Sequence, residues 1–255
     1  MTIKLLVLFF TPLLSGLLIY LVPKGKITNY KLLLVFAGSY LFAITVIHIL
    51  PELYRQNNGL DLIGLFVLAG FFLQQLLEYF TSGVEHGHIH THEHHGDHSH
   101  HNHAAHQSVS ALVLLAALCI HAFLEGGMLA EPAGTGPLYD VKGVLLGIAL
   151  HRAPAAFALM TVLASQLQSR QKALPHLIAF SFAAPIGLLL STYLADNDFI
   201  SETGLIYLYA LVCGNFLHIS TTIVFESSPE HRFHAKKLAV AIVGALVAVA
   251  VVYMI

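Results

Sequence analysis

The residues best suited to chemistry in this chain stand where charge is hardest to keep. His121 and Glu125 lie in the segment His-Ala-Phe-Leu-Glu-Gly at His121–Gly126, and His151 opens His-Arg-Ala-Pro at His151–Pro154, both deep in apolar runs. An ionisable side chain near the middle of a bilayer costs at least ~2.5–3.5 kcal/mol, so it faces a pathway or a partner. His121 and Glu125 are four residues apart, which stacks both on one helix face. Imidazole and carboxylate with no thiolate form a ligand set for a divalent transition metal. Zn²⁺ fits best, and Fe²⁺, Mn²⁺ and Cd²⁺ are also compatible.

Other ionisable residues share these runs. A lone histidine in a membrane helix is usually a hydrogen-bond partner for a neighbouring helix. Here four histidines, His48, His121, His151 and His218, are joined by Glu125 and Glu226, and a convergent set implies a shared ligand. His48 is the candidate fourth metal ligand, although with Glu52 it also fits an exit path. Glu52, Arg152, His218 and Glu226 are pathway or gating candidates. Pro154 has no N–H for the carbonyl of Leu150, which leaves a backbone oxygen beside His151 for a ligand or water.

The elements that must position these residues follow from composition. Of 255 residues, 56% are hydrophobic and 10% charged, and the mean hydropathy is +0.74. A soluble domain carries roughly 25% charged residues, so the expected fold class is an all-α polytopic membrane protein with the lipid bilayer as its main partner. A formal net charge of −2 tells little, because few charges exist and their placement matters more; no nucleic-acid partner is expected. Cys119 and Cys213 both fall in apolar runs and are expected to pack between helices rather than to form a disulfide. A span needs about 20 apolar residues. Eight runs qualify, at about 3–22, 31–53, 60–81, 108–130, 141–165, 174–195, 203–225 and 237–254. Residues 1–255 are expected to form one transmembrane domain, with the first run a helix rather than a cleaved leader.

Lysine and arginine placement gives an orientation. The first, fifth and seventh connections hold Lys24, Lys26 and Lys31, then Arg170 and Lys172, then Arg232, Lys236 and Lys237. The positive-inside rule puts these in the cytoplasm and both termini outside, as expected for a plasma or inner membrane protein. The third connection is of another kind. Residues 84–107 contain His86, His88, His90, His92, His94, His95, His98, His100, His101, His103 and His106. Too polar to bury a core, this cytoplasmic loop is expected to be disordered and to chelate metal while its imidazoles are neutral, above about pH 6.5.

His121–Gly126 and His151–Pro154 resemble the fourth- and fifth-helix motifs of the ZIP (Zrt/Irt-like) metal transporters. His48–Glu52 resembles the end of that family's second helix, Phe180–Gly187 its sixth, and Gly214–His218 its seventh. The resemblance covers nearly the whole chain. It implies an eight-helix bundle, movement of one group of helices against another, and a transport site on helices four and five, often with two adjacent metals. His121, Glu125 and His151 keep the implied first-site ligands. Ala122, Arg152 and Ala155 stand where that comparison expects second-site ligands. The expectation is therefore a single intramembrane metal, with the Arg152 guanidinium in the electrostatic place of the second. At this depth Arg152 is expected to pair with Glu125 or Glu226.

The function expected is movement of a divalent metal, Zn²⁺ foremost, into the cytoplasm, with no enzymatic activity and with homodimerisation open. A zinc-hydrolase-like membrane metalloenzyme is the first alternative, and an exporter with a His-rich loop the second. Deleting residues 86–106 is expected to leave metal movement largely intact while changing its regulation or metal retention. Loss of all uptake in a correctly folded deletion would contradict that division of labour.

Overall fold

Backbone N–H and C=O groups inside a bilayer have only one another to bond, so long apolar segments become helices. A computed structural model describes residues 1–21, 30–55, 62–81, 111–131, 141–226 and 235–254. The helices are α1 (Thr2–Leu17), α2 (Tyr30–Ile44), α3 (Leu50–Arg55), α4 (Ile63–Thr81), α5 (Ala111–Met128), α6 (Val141–Gln166), α7 (Arg170–Asp196), α8 (Glu202–Glu226) and α9 (Ala235–Met254). A 3₁₀ turn, Leu18–Tyr20, extends α1, and a π turn, Thr45–Ile49, joins α2 to α3. Because α2, the π turn and α3 run on as one rod, there are eight apolar rods among the described residues. Seven are long and apolar enough to cross a membrane, and α5 is the shorter apolar one. The protein is an all-α polytopic membrane protein; α5 is the fourth of its described rods and α6 the fifth.

Two boundaries differ from the sequence expectation. The sixth span begins at Arg170, so Arg170 and Lys172 form its first turn and do not lie in a connection. Ser169 is the reason, because its side chain accepts the Lys172 N–H at 3.3 Å and caps an orphan donor. The π turn surrounds His48. Pro51 has no N–H for the Ile47 carbonyl and its ring crowds that oxygen, so a regular α turn is disfavoured there.

The rods divide into two groups. In one, α5 packs on α7 and α1 on α6 and α7; in the other, α4 packs on α8 and the α2–α3 rod on α9 and α8. Close approach comes from glycine. A Cβ on Gly126 would collide with the Ala184 carbonyl, and one on Gly187 with the Phe123 carbonyl, so α5 and α7 meet backbone to backbone. Gly70 against Leu211 and Gly214 against Val67 do the same for α4 and α8. Small residues are how membrane helices gain packing where lipid is as apolar as leucine.

The core changes along the length of the helices. Near the chain termini one buried cluster unites both groups, including Leu8, Ile44, Leu129, Val144, Leu188 and Val212. Two hydroxyls cross there, Tyr209 Oη donating to the Ala130 carbonyl at 2.6 Å and Tyr40 Oη to the Gly143 carbonyl at 3.1 Å. At the opposite face the buried clusters separate. Leu118, Ala156, Leu163, Leu177 and Phe180 pack within the first group, and Leu34, Ile219 and Ile223 within the second.

Gly187→Ala is expected to lower the thermal midpoint of the detergent-solubilised protein well below that of Gly64→Ala. At Gly64 a Cβ meets only the Tyr54 hydroxyl, at 3.1 Å. Equal midpoints for the two variants would show that α5 and α7 do not depend on this contact.

Candidate metal centre

α5 and α6 bring the central donors together. His121 and Glu125 project from successive turns of α5, and Nε2 of His121 lies 3.1 Å from Oε1 of Glu125. His151 comes from α6, its ring edge-to-face with that of His121 at a centroid distance of 5.8 Å. One donor atom from each of His121, Glu125 and His151 lies within 4.8 Å of the other two, and all three residues are buried. A tetrahedral ion with bonds of about 2.0–2.1 Å holds its donors about 3.3–3.4 Å apart. The His121–Glu125 pair is close to that spacing. The third donor needs only a short inward swing.

The centre sits where the core changes. Towards Met128 on α5 and Val144 on α6 lies the cluster shared by both helix groups. Towards Leu118 on α5 and Ala156 on α6 lies the cluster confined to one group. The donors thus occupy the level at which the two groups cease to share a core.

Arg152 completes the electrostatics. It is 1% exposed, with Nε 3.9 Å from Oε2 of Glu125. Its Nη2 donates to the Phe180 carbonyl at 3.2 Å, and Cζ stands 4.8 Å from the centroid of the Phe180 ring. A planar guanidinium can satisfy an anion, a carbonyl and an aromatic face at once. Of the two carboxylates considered for Arg152, Glu125 lies beside it, and the side chain of Glu226 is outside the described residues. The two Glu125 oxygens therefore face different partners, Oε1 towards His121 and Oε2 towards Arg152.

The other sequence candidates lie elsewhere. His48 is half-buried in the π turn and does not belong to the three-residue donor group. Glu52 pairs with Arg55 at 3.3 Å, and Arg55 is largely exposed, so the pair adds little stability. His218 faces Glu78 of α4 at 3.4 Å. The side chain of Glu226, and the histidines from His86 to His106, lie outside the described residues. Two participants escaped the sequence reading. Phe180 acts through its carbonyl and ring face, for which no spacing rule exists. Glu78 carried a signal, a carboxylate inside an apolar run, but its partner is on another helix.

Breaking a buried ion pair leaves an uncompensated charge and costs on the order of 3–5 kcal/mol. Glu125→Gln and Arg152→Gln are each expected to lower the thermal midpoint, and the double variant to recover part of the loss. Simple additivity of the two shifts in thermal unfolding would rule out coupling between these side chains.

Comparison with known proteins adds an independent line. Residues 82–252, more than half of the chain, match the family model described as ZIP Zinc transporter. The chain is 30% identical over 175 residues to the zinc transporter ZIP9 of Xenopus tropicalis, an overlap of 66% of this chain and 53% of that protein. With ZIP9 of Micropogonias undulatus it shares 30% identity over 166 residues, 62% of this chain and 49% of the relative. With ZIP9 of Macaca fascicularis it shares 34% over 111 residues, 41% and 46% of the two chains. The chain spans about half the length of these relatives. With a family match running from residue 82 across the helices that carry His121, Glu125 and His151, the chain belongs to the ZIP zinc transporter family.

Proposed function

We propose that this protein carries a divalent transition metal, Zn²⁺ foremost, across a plasma or inner membrane into the cytoplasm, one ion at a time, through His121, Glu125 and His151. The observation that carries this reading is the convergence of two buried imidazoles and one buried carboxylate in a member of a zinc transporter family. Three protein donors leave a coordination position open, and an open position allows an ion to exchange. His48 can supply a fourth donor once the helix groups shift, and Fe²⁺, Mn²⁺ and Cd²⁺ suit the same donors less selectively.

Arg152 gives the cycle its electrostatic logic. With the ion bound, Glu125 is compensated through Oε1; with the ion gone, the guanidinium 3.9 Å from Oε2 remains. The empty centre thus never exposes a lone carboxylate to the apolar interior. The same fixed cation disfavours a second metal, which supports a single ion at this centre. Loop charges put the face with separated cores in the cytoplasm and the termini outside. On that assignment the shared core and the Tyr209 and Tyr40 hydroxyls seal the outer side, and the centre communicates inward. Residues 1–255 act as one transport domain, with the histidine-rich segment 84–107 on the receiving side.

Metal uptake into proteoliposomes tests the reading. His121→Ala, Glu125→Ala and His151→Ala are each expected to reduce uptake at least tenfold, with no hydrolytic turnover in the parent protein. Undiminished uptake in all three variants would overturn the site, and turnover would favour a metallohydrolase.

A further inference from the structure

A cavity of about 180 Å³, open on one side, lies between Phe123 and Gly127 of α5, Leu190 and Leu194 of α7, Ile200, and Leu208 of α8. Ser191 supplies its one polar side chain, and the other side chains that line it are aliphatic or aromatic. Gly127 gives it depth, because a Cβ there would stand 2.7 Å from Ser191 Oγ and 3.4 Å from a Leu208 methyl. Leu190 is also exposed, in line with Ile186, Leu189 and Tyr193 on one flank of α7. Lipid tails are as apolar as leucine, so this exposed stripe is the lipid face of the span.

Beside the cavity the chain turns back at the end of α7. The Leu194 carbonyl accepts the Phe199 N–H at 2.9 Å and the Ile200 N–H at 3.1 Å. The Asn197 side-chain amide donates to the Tyr193 carbonyl at 2.8 Å. Asp198 adopts a φ of 59°, the left-handed region that aspartate tolerates better than most residues. Phe199 is thereby folded over Tyr193, with ring centroids 6.4 Å apart and planes 28° from parallel. The two residues are 70% and 57% exposed, and Asp198 and Glu202 place exposed carboxylates beside them. Aromatic faces with anions nearby are a recognition surface for a quaternary ammonium.

A dry packing gap is the simpler account of the cavity, and size alone does not decide. A cavity of about 150 Å³ lined by Leu, Ile and Phe stays dry and takes benzene, whereas drug-sized ligands need about 300–1,000 Å³. A slender stretch of hydrocarbon therefore fits here and a broad ligand does not. Position decides. Leu190 joins the cavity to the lipid face, and Leu194 and Ile200 join it to the ring pair. An acyl chain is covalently tied to its headgroup, so a chain in the cavity brings that headgroup to the turn.

We propose that this cavity and turn bind one phospholipid with a choline headgroup. A stretch of acyl chain lies between α5, α7 and α8, and the quaternary ammonium rests against Tyr193 and Phe199 beside Asp198. The site does not depend on the proposed transport function; its place in the outer leaflet rests on the orientation proposed from the loop charges. Leu124, Ile200 and Leu208 also pack against the buried cluster that unites the two helix groups. The bound chain thus touches both groups at once and favours the arrangement in which they share that core.

Native mass spectrometry tests the site, with the full chain delipidated in detergent and offered phosphatidylcholine and phosphatidylglycerol of identical acyl chains. One phosphatidylcholine per chain is expected, retained about threefold or more over phosphatidylglycerol, as a cation on an exposed aromatic face implies. Phe199→Ala and Asp198→Asn should each bring that ratio close to parity. Asparagine tolerates the same left-handed turn, so Asp198→Asn removes the charge alone. Leu208→Trp, which fills the cavity, should lose bound lipid of either kind. Phe199 is an exposed side chain, so Phe199→Ala decides the matter if Leu208→Trp fails to fold. Equal retention of the two lipids by the parent overturns the site. So does an unchanged ratio in Phe199→Ala or Asp198→Asn, or full retention in a folded Leu208→Trp.

Discussion

A carboxylate held where water cannot reach it is the condition on which the rest of this molecule depends. Glu125 is wholly buried, and the Born penalty for such an anion is large unless cations or donors surround it. Every neighbour follows from that need. His121 approaches one oxygen from the same helix, and Arg152 approaches the other from α6. Arg152 must itself be held, and the Phe180 carbonyl and ring on α7 hold it. Three helices are thereby tied to the charge state of one side chain. The carboxylate is thus compensated from within the protein at both oxygens.

Glycine makes that arrangement geometrically possible. Phe180 reaches Arg152 because α7 lies against α5, and it lies there because neither Gly126 nor Gly187 has a side chain to hold it off. Glu125 and Gly126 are consecutive, so the residue carrying the charge and the residue setting the helix distance belong to one turn. The same device on α4 and α8 brings His218 to Glu78. Backbone contact in both places brings polar groups of different helices within pairing distance, which bulkier interfaces would not allow.

Much of this was legible in the sequence, for reasons that can be named. The i, i+4 spacing of His121 and Glu125 fixes their relation within a single helix, and the structure has them 3.1 Å apart. Hydropathy located the spans because the bilayer imposes a minimum apolar length on each. No spacing rule links two helices, so His151 could join that pair only through its ligand chemistry inside an apolar run and through family resemblance. For the same reason Arg152 had two possible partners, and the Glu78–His218 pair was invisible. The early start of α7 turned on one serine cap. His48 stood out as a candidate ligand because it is an imidazole inside an apolar run.

The turn around His48 has one further effect, on the phase of its rod. A π turn accommodates one residue more than an α turn, so everything beyond it is rotated by about 100° relative to an unbroken helix. Before it, Ala37, Leu41 and Ile44 form a buried stripe that would run on through His48 and Glu52. After it the stripe instead falls on Ile49 and Leu53, both wholly buried, and His48 and Glu52 are turned to its half-exposed flank. One inserted residue has thus exchanged an imidazole and a carboxylate for two aliphatic side chains in the packing seam. Nothing in the apolar pattern on either side needed to change. In such a rod, the number of residues between two fixed points decides whether its polar groups face the interior or the edge.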